Sequence, residues 1–191
     1  PVNNHTGLIY GTHLSSNGSV APNGGIPIIT DNINHNGVSI EKAGVFYPLQ
    51  TFSKEVFLDV KEVPFCISAE DKAFKATLLE VANSISNQVF QINERQRKAL
   101  HLAAVFACNF SNQMYAIAED LLKKSDLDFE MLKPLIIETA NKIKEQNPQK
   151  AQTGPAKRKD LKTIKNQMDL LEDKDLKCIY KLITDQILKQ K

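Results

Sequence analysis

The sequence predicts an α+β chain that is mostly α, with a strand-rich portion over residues 1–69 and an all-helical portion over residues 70–191. Seven of the eight glycines lie in residues 1–44, where short apolar runs alternate with turn residues, as in strands joined by loops. From Asp71 onward, apolar residues recur every three or four positions, which is the spacing of one face of an α-helix.

Four short apolar runs predict strands. GLIYG and GIPIIT lie within residues 1–44, and two more runs follow at residues 44–52 and 63–69. Pro48 and Pro64 restrict the last two to edge or strand-start positions, because proline has no backbone N–H to donate to a neighbouring strand. The run at residues 63–69 is predicted to end the sheet.

Five helices are predicted after the strands. The first begins at Glu70 or Asp71, carries Phe74, Leu78, Val81 and Ile85 on its apolar face, and is broken by residues 87–93. The others span about Glu94 to Lys124, about Phe129 to Gln146, and two segments capped by Asp160 and Asp173. We expect Pro148, Gly154 and Pro155 to stop helix formation between the third and fourth helices.

The long second helix is predicted to carry a single stripe, formed by Leu100, Ala103, Ala107, Phe110, Met114, Ile117 and Leu121. Its first half is thin. Ala99, Ala103, Ala104 and Ala107 lie there, and small side chains allow another helix to approach closely. This pattern predicts the central helix of a bundle or of a dimer interface.

Composition excludes several classes of function. The 24 basic residues nearly balance the 22 acidic ones, which disfavours nucleic acid or an anionic membrane as the main partner. The three cysteines are few and widely spaced, so we expect free thiols and a cytoplasmic location. The histidines and cysteines have no metal-ligand spacing, and no apolar run is long enough to span a bilayer. The first residue is not Met, which is compatible with a processed chain or a fragment.

The segment AQTGPAKRKDL at residues 151–161 holds the only glycine after Gly44. One interpretation is a turn that is followed by solvated basic residues. The other is an anion site, in which free backbone N–H groups before a helix act with the Arg158 guanidinium and Gly154 allows the backbone to approach the ligand closely. The residues alone leave both interpretations open.

Four segments together resemble one known family: GVFYPLQTFSKE, RKALHLAAVFACNFSNQMYAIAEDLL, LKPLIIETANKI and AQTGPAKRKDLKTIKNQMDLL. It is a bacterial family of Rossmann-like proteins, usually labelled putative NADP oxidoreductases, whose C-terminal domain is of unknown function. The resemblance covers about residues 44–191. It implies a Rossmann-like sheet portion, here partial, truncated or divergent over residues 1–69, and a helical dimerisation domain similar to those of 6-phosphogluconate and hydroxyacid dehydrogenases.

The resemblance also implies site residues. It suggests a proton-handling role for His101, an anion-binding role for Arg158, and a place for Asn109 in the same cleft. The other matched positions, the first five of which we assign to substrate binding, are Gln50, Thr51, Ser53, Thr153, Gly154, Tyr47, Pro48, Glu138, Pro155 and Asp160. Lys159 stands where family members often have a small residue.

His101 has an alternative interpretation, because a helix histidine can simply be bonded to a neighbour. In a regular helix His101 and Asn109 lie about 12 Å apart along the axis, so they are not predicted to touch, whereas His101 and Arg97 are neighbours on one face.

The implied cofactor is NADP or NAD, yet the sequence contains no GxGxxG fingerprint. The segment that resembles the family's cofactor cleft contains His13, Ser15, Ser16, Gly18 and Ser19.

The leading prediction is an NAD(P)-dependent oxidoreductase-like protein that transfers a hydride to or from a small anionic substrate held between the two portions. The alternative is a non-catalytic helical dimerisation or interaction module. A weaker one is nucleic-acid binding through the basic residues 157–165, which the balanced charge and the absence of interleaved aromatic residues disfavour.

Overall fold

The computed structural model describes residues 28–31, 42–52 and 58–190. It confirms a mostly helical chain with a small sheet. The chain divides into two compact units, Pro1–Ser111 and Asn112–Lys191. The strands are β1 Ile28–Asp31, β2 Lys42–Pro48, β3 Phe65–Ala69 and β4 Val89–Gln91. The helices are α1 Lys72–Ile85, α2 Glu94–Ala104, α3 Ser111–Lys123, α4 Lys133–Glu145, α5 Pro148–Ala151, α6 Leu161–Leu170 and α7 Lys174–Leu188.

The sheet of the first unit has the strand order β1-β2-β3-β4. The first two pairings are antiparallel, and β3 pairs in parallel with β4, so that β3, α1 and β4 form a β-α-β crossover. The prediction that residues 87–93 only break a helix, and that the sheet ends at residue 69, is therefore wrong. A three-residue strand is too short to show an alternating pattern, which is why periodicity missed β4. The predicted strand GLIYG lies outside the described residues, and the domain boundary after residue 69 stays a prediction.

The core of the first unit lies between the sheet and α1. It consists of buried apolar side chains from both elements and from Val63, just before β3: Phe46, Val63, Phe65, Ile67, Phe74, Leu78 and Ala82. Val81, predicted on the apolar face of α1, is 43% exposed, and Ala82 is buried in its place. Gly44 permits the close approach of helix to sheet, because a Cβ added there would lie 2.5 Å from Leu78 Cδ1 and 3.1 Å from Ala69 Cβ.

The long helical segment begins at a capping box, in which Asn93 Oδ1 accepts from the Gln96 N–H and Gln96 Oε1 accepts from the Asn93 N–H. It runs from Glu94 to Lys123, close to the predicted ends. The number of residues per turn is not constant along this segment, however, because Val105–Phe110 forms a π-helix between α2 and α3. The wider hydrogen-bonded turn of a π-helix shifts the following side chains around the axis, so the single continuous stripe predicted from residue 100 to residue 121 is wrong.

Two predicted helix N-caps of the second unit are confirmed. Asp160 accepts from the Thr163 N–H and caps α6, and Asp173 accepts from the N–H groups of Asp175 and Leu176 and caps α7. Pro148 does not stop helix formation. It starts the short helix α5 instead, because a proline at the first helical position needs no hydrogen-bond partner.

None of the helices among the described residues is both long and apolar enough to cross a membrane.

Candidate functional site

A hydrogen-bonded pair of aromatic side chains forms the centre of the candidate site in the first unit. Tyr47, at the end of β2, places its Oη 3.3 Å from Nδ1 of His101 in the last turn of α2. The ring centroids are 6.4 Å apart. The bond occupies Nδ1, and the described residues give the imidazole no other hydrogen bond, so Nε2 is free to meet a ligand. His101 itself is exposed.

Burial is the main influence on the acidity of Tyr47. It raises the pKa of the phenol, and nearby Cys66 raises it further, while the Arg97 guanidinium lowers it. Because the net direction is upward from an ordinary value of 10.0, Tyr47 keeps its proton at neutral pH. Cys66 is the cross-strand partner of Tyr47 in β3, and burial also raises the pKa of its thiol. Neither group is therefore charged near neutrality.

Arg97 is the charged member of the cluster. It lies one helical turn before His101 on α2 and is only partly exposed. Its Nε atom is buried and has no hydrogen-bond partner among the described residues. The site therefore combines a neutral phenol, an imidazole and a guanidinium. The bond between Tyr47 and His101 takes up one donor proton of that pair, so the other proton and the guanidinium N–H groups remain to donate to a ligand.

The predicted substrate-binding residues at the end of β2 are exposed. Gln50 Oε1 accepts from the backbone N–H of Thr51 at 2.8 Å. Ser53 lies outside the described residues, as do the predicted cofactor-binding residues His13, Ser15, Ser16, Gly18 and Ser19. Asn109 is exposed within the π-helix and has no described hydrogen bond to His101.

The loop at residues 153–160 belongs to the second unit and is a compact turn. The backbone N–H of Arg158 donates to the Gly154 carbonyl at 3.2 Å, and that of Asp160 donates to the Pro155 carbonyl at 2.9 Å. Those of Lys159 and Leu161 are bonded within the loop as well. The N–H groups of residues 158–161, directly before and at the start of α6, are thus already satisfied and are not available to an anion.

Two residues of this loop have left-handed backbone conformations, Gly154 with φ 104° and Lys159 with φ 56°. A Cβ at Gly154 would meet no described atom within 4 Å. The glycine is therefore required by its φ and not, within this chain, by a close approach.

A cavity of about 290 Å³ lies beside this loop in the second unit. Thr153 and Gly154 line it together with apolar side chains of α3 and α7, such as Met114 and Ile183. Its few polar groups include Tyr180, whose Oη donates to Gln167 Oε1 at 2.7 Å. Arg158 is exposed and does not line the cavity. The cavity suits an apolar group better than an anion.

Tyr47 and Arg97 were not assigned roles from the sequence alone. Tyr47 stood in the motif that carries the family resemblance, and Arg97 was recognised only as a helical neighbour of His101. The signal that was present is the spacing of four residues between Arg97 and His101.

The described residues do not provide a pyrophosphate cradle for a dinucleotide. The turn between β3 and α1, where a Rossmann-type crossover would hold the phosphates, contains Glu70 and Asp71 and no glycine. The Asp71 carboxylate already accepts from the Phe74 N–H at 2.7 Å. Two carboxylates at the helix start would repel a phosphate group.

Fold and site together define a mostly helical α+β chain with a β-α-β crossover and a polar cluster where β2 meets α2. Residues 63–187 match the model of the domain of unknown function DUF2520. The chain therefore belongs to the DUF2520 family.

The chain is similar in structure to the putative NADP oxidoreductase BF3122 from Bacteroides fragilis, with 48% identity and a TM-score of 0.73 over 76% of this chain and 57% of that one. Protein TM1727 from Thermotoga maritima, with 22% identity and a TM-score of 0.64 over 76% of this chain and 60% of its own, shares the fold. The chain thus spans less than two thirds of either structure. A comparison with curated proteins finds no match.

Proposed function

We propose that the chain acts in an NADP- or NAD-dependent oxidoreductase that transfers a hydride to or from a small anionic substrate, with His101 as its proton donor or acceptor. The observation that carries the proposal is the contact between Tyr47 Oη and His101 Nδ1. The 48% identity to a protein described as a putative NADP oxidoreductase supports the class of reaction.

The pair has the chemistry that proton transfer requires. An imidazole exchanges a proton near neutral pH, and a hydrogen bond to one ring nitrogen fixes the orientation of the other. Tyr47 stays protonated because burial raises its pKa, so it acts as a positioning residue for the His101 ring. Nε2 is then the atom that gives or takes the proton.

The remaining assignments stay predictions. They are anion binding by Arg158, a cleft position for Asn109, substrate contacts by Gln50, Thr51, Ser53, Thr153 and Gly154, and cofactor contacts by His13, Ser15, Gly18 and Ser19. Likewise, the similarity of the helical portion to the C-terminal domains of 6-phosphogluconate dehydrogenases, a homodimer and a cytoplasmic location are parts of the proposal.

A non-catalytic dimerisation module is the second candidate function, and a specific surface favours it. Leu102, Phe106 and Phe110 are 60%, 62% and 48% exposed on the long helical segment. The rings of Phe106 and Phe110 pack edge to face at 4.9 Å, which forms one apolar ridge. Exposed apolar side chains in such a cluster are typical of an interaction surface.

The proposal is tested with the product of the complete open reading frame that encodes this chain. Oxidation of NADPH is followed with a panel of small oxo acids, for the parent and for His101→Gln, which retains an amide nitrogen near Nε2 but cannot act as a base. We expect kcat to fall by about 10²-fold or more, because general acid–base catalysis contributes at that level.

Arg95→Gln is the matched control on the same helix, since Arg95 is exposed and outside the cluster. Equal turnover by the parent and His101→Gln would refute the role of His101. Absence of turnover with every oxo acid, in a protein that binds NADPH, would favour the dimerisation module.

A further inference from the structure

We infer that Arg97, together with Tyr47 and His101, forms a binding site for a small oxyanion, the carboxylate or phosphate group of a ligand. As the anchor of a substrate this inference rests on the proposed function, whereas anion binding as such does not. The sequence assigned that role to Arg158, in a different unit of the chain.

The state of the Arg97 guanidinium is the first argument. Its Nε atom is buried, and no described residue accepts a hydrogen bond from it. A buried N–H group without an acceptor is unfavourable, and such groups in folded proteins commonly mark a functional site or a missing ligand. An oxyanion at this position would supply the missing acceptor.

The surrounding charges are the second argument. Glu94, one turn earlier on α2, is bound to Lys98 at 2.6 Å, and this contact lowers the pKa of its carboxyl below the usual value. All six ion pairs of the described residues have lysine as the cation, so none of them includes Arg97, whose charge acts on the Glu94 carboxyl only as a minor influence on its pKa. A partly buried guanidinium without an ion-pair partner favours an external anion.

The neighbours of Arg97 supply the third argument. The guanidinium is close enough to Tyr47 to lower the pKa of its phenol, and His101 lies one helical turn further on. A planar guanidinium can bind two oxygens of a carboxylate or phosphate at once, and the donor proton that the Tyr47–His101 bond leaves free can be donated to a third atom. Convergent donors of this kind select for an oxyanion.

The geometry also explains why Arg95 cannot substitute for Arg97. The two residues are two positions apart, so their side chains leave the helix about 200° apart. Only one of them can face Tyr47. Arg95 is exposed and is therefore a control that preserves the helix and its charge.

The experiment uses the 191-residue chain and the fact that it contains only three arginines, Arg95, Arg97 and Arg158. In the isotope-labelled chain each arginine gives one Nε–Hε resonance, assigned by its loss in the corresponding Arg→Lys variant. Inorganic phosphate and acetate are titrated separately at constant ionic strength. The two series distinguish a phosphate ligand from a carboxylate ligand.

We expect the Arg97 resonance to shift to saturation with at least one anion, while the Arg95 resonance stays in place; a shift of the Arg158 resonance with its own saturation curve would report the separate anion binding proposed for that residue. Arg97→Lys should weaken binding at least tenfold, and Arg95→Lys should leave it unchanged. If Arg97→Lys does not fold, the loss of the other two resonances in their variants still identifies Arg97 in the parent.

Saturation at Arg158 alone, or the same linear drift of all three resonances, would overturn the inference. The test requires no cofactor and no turnover. Anion binding at Arg97 in a protein without oxidoreductase activity would leave the inference intact and refute the proposed function, and turnover without anion binding at Arg97 would do the reverse.

Discussion

Replacing Gly154 with alanine isolates the contribution of backbone conformation to the loop at residues 153–160. Gly154 has a φ of 104°, which residues with a Cβ rarely adopt, and an added Cβ would meet no described atom within 4 Å. The whole cost is therefore backbone strain, about 1–3 kcal/mol, less about 0.4–1 kcal/mol because alanine restricts the unfolded chain. We expect the free energy of unfolding to fall by roughly 1–2 kcal/mol.

Urea unfolding followed by circular dichroism measures this change as a lower midpoint with an unchanged slope. Two further variants of the same loop serve as controls. Lys159→Gly removes the strain of a left-handed lysine with φ 56°, and Lys157→Gly, at an exposed position without a positive φ, adds only chain entropy to the unfolded state. Lys159→Gly should therefore be more stable than Lys157→Gly by about 1–2 kcal/mol.

An unchanged midpoint for Gly154→Ala would refute the argument from φ. Equal losses for Lys159→Gly and Lys157→Gly would do so as well. If Gly154→Ala lowered the free energy of unfolding by much more than the strain estimate, the added Cβ would have to clash with a neighbouring group, as expected if glycine is needed there for a close approach.

Three more predictions concern acid stability, cofactor binding and assembly. Hydrogen bonds from Thr163 lower the pKa of Asp160 from an ordinary 3.8. The stability that the Asp160 carboxylate contributes is therefore complete above that pH and is lost as the pH falls through the lower pKa of the folded state. Asp160→Asn should accordingly reduce the dependence of the urea midpoint on pH in this acidic range. The 191-residue chain alone should bind NADPH weakly or not at all by calorimetry, and tight binding would reveal a phosphate site within residues 1–27 or elsewhere that the glycine pattern does not show. The chain should sediment as a homodimer, and Ala103→Leu or Ala107→Leu should weaken it by about 1–3 kcal/mol through overpacking; a monomeric parent at high micromolar concentration would contradict this.

Local signals predicted local structure well. Asp160 and Asp173 cap their helices as predicted, because a capping carboxylate needs only the N–H groups two or three residues further on. The π-helix at Val105–Phe110 was missed for the opposite reason. A change in hydrogen-bond register leaves the apolar spacing of the sequence nearly unaltered, so the regular period of 3.6 residues was assumed to continue.

The loop at residues 153–160 shows how one residue type can support two different hypotheses. Glycine serves both where a chain must adopt a positive φ and where it must approach another group closely. The sequence shows only that Gly154 is rare in its context. The open space around its missing Cβ, and the bonds of the loop's N–H groups to its own carbonyls, are properties of the folded turn.

The Tyr47–His101 contact depends on β4, a strand that the sequence did not predict. β4 pairs in parallel with β3, and the N–H of Ile92 donates to the Ile67 carbonyl at 3.1 Å before Asn93 caps α2. The start of α2 is thereby fixed to the sheet. In the same sheet β3 also pairs with β2, and Tyr47 is the last residue but one of β2. Without β4, the predicted strands and helices do not imply a contact between residues 47 and 101. His101 could therefore be named from a resemblance, whereas its partner required the strand register.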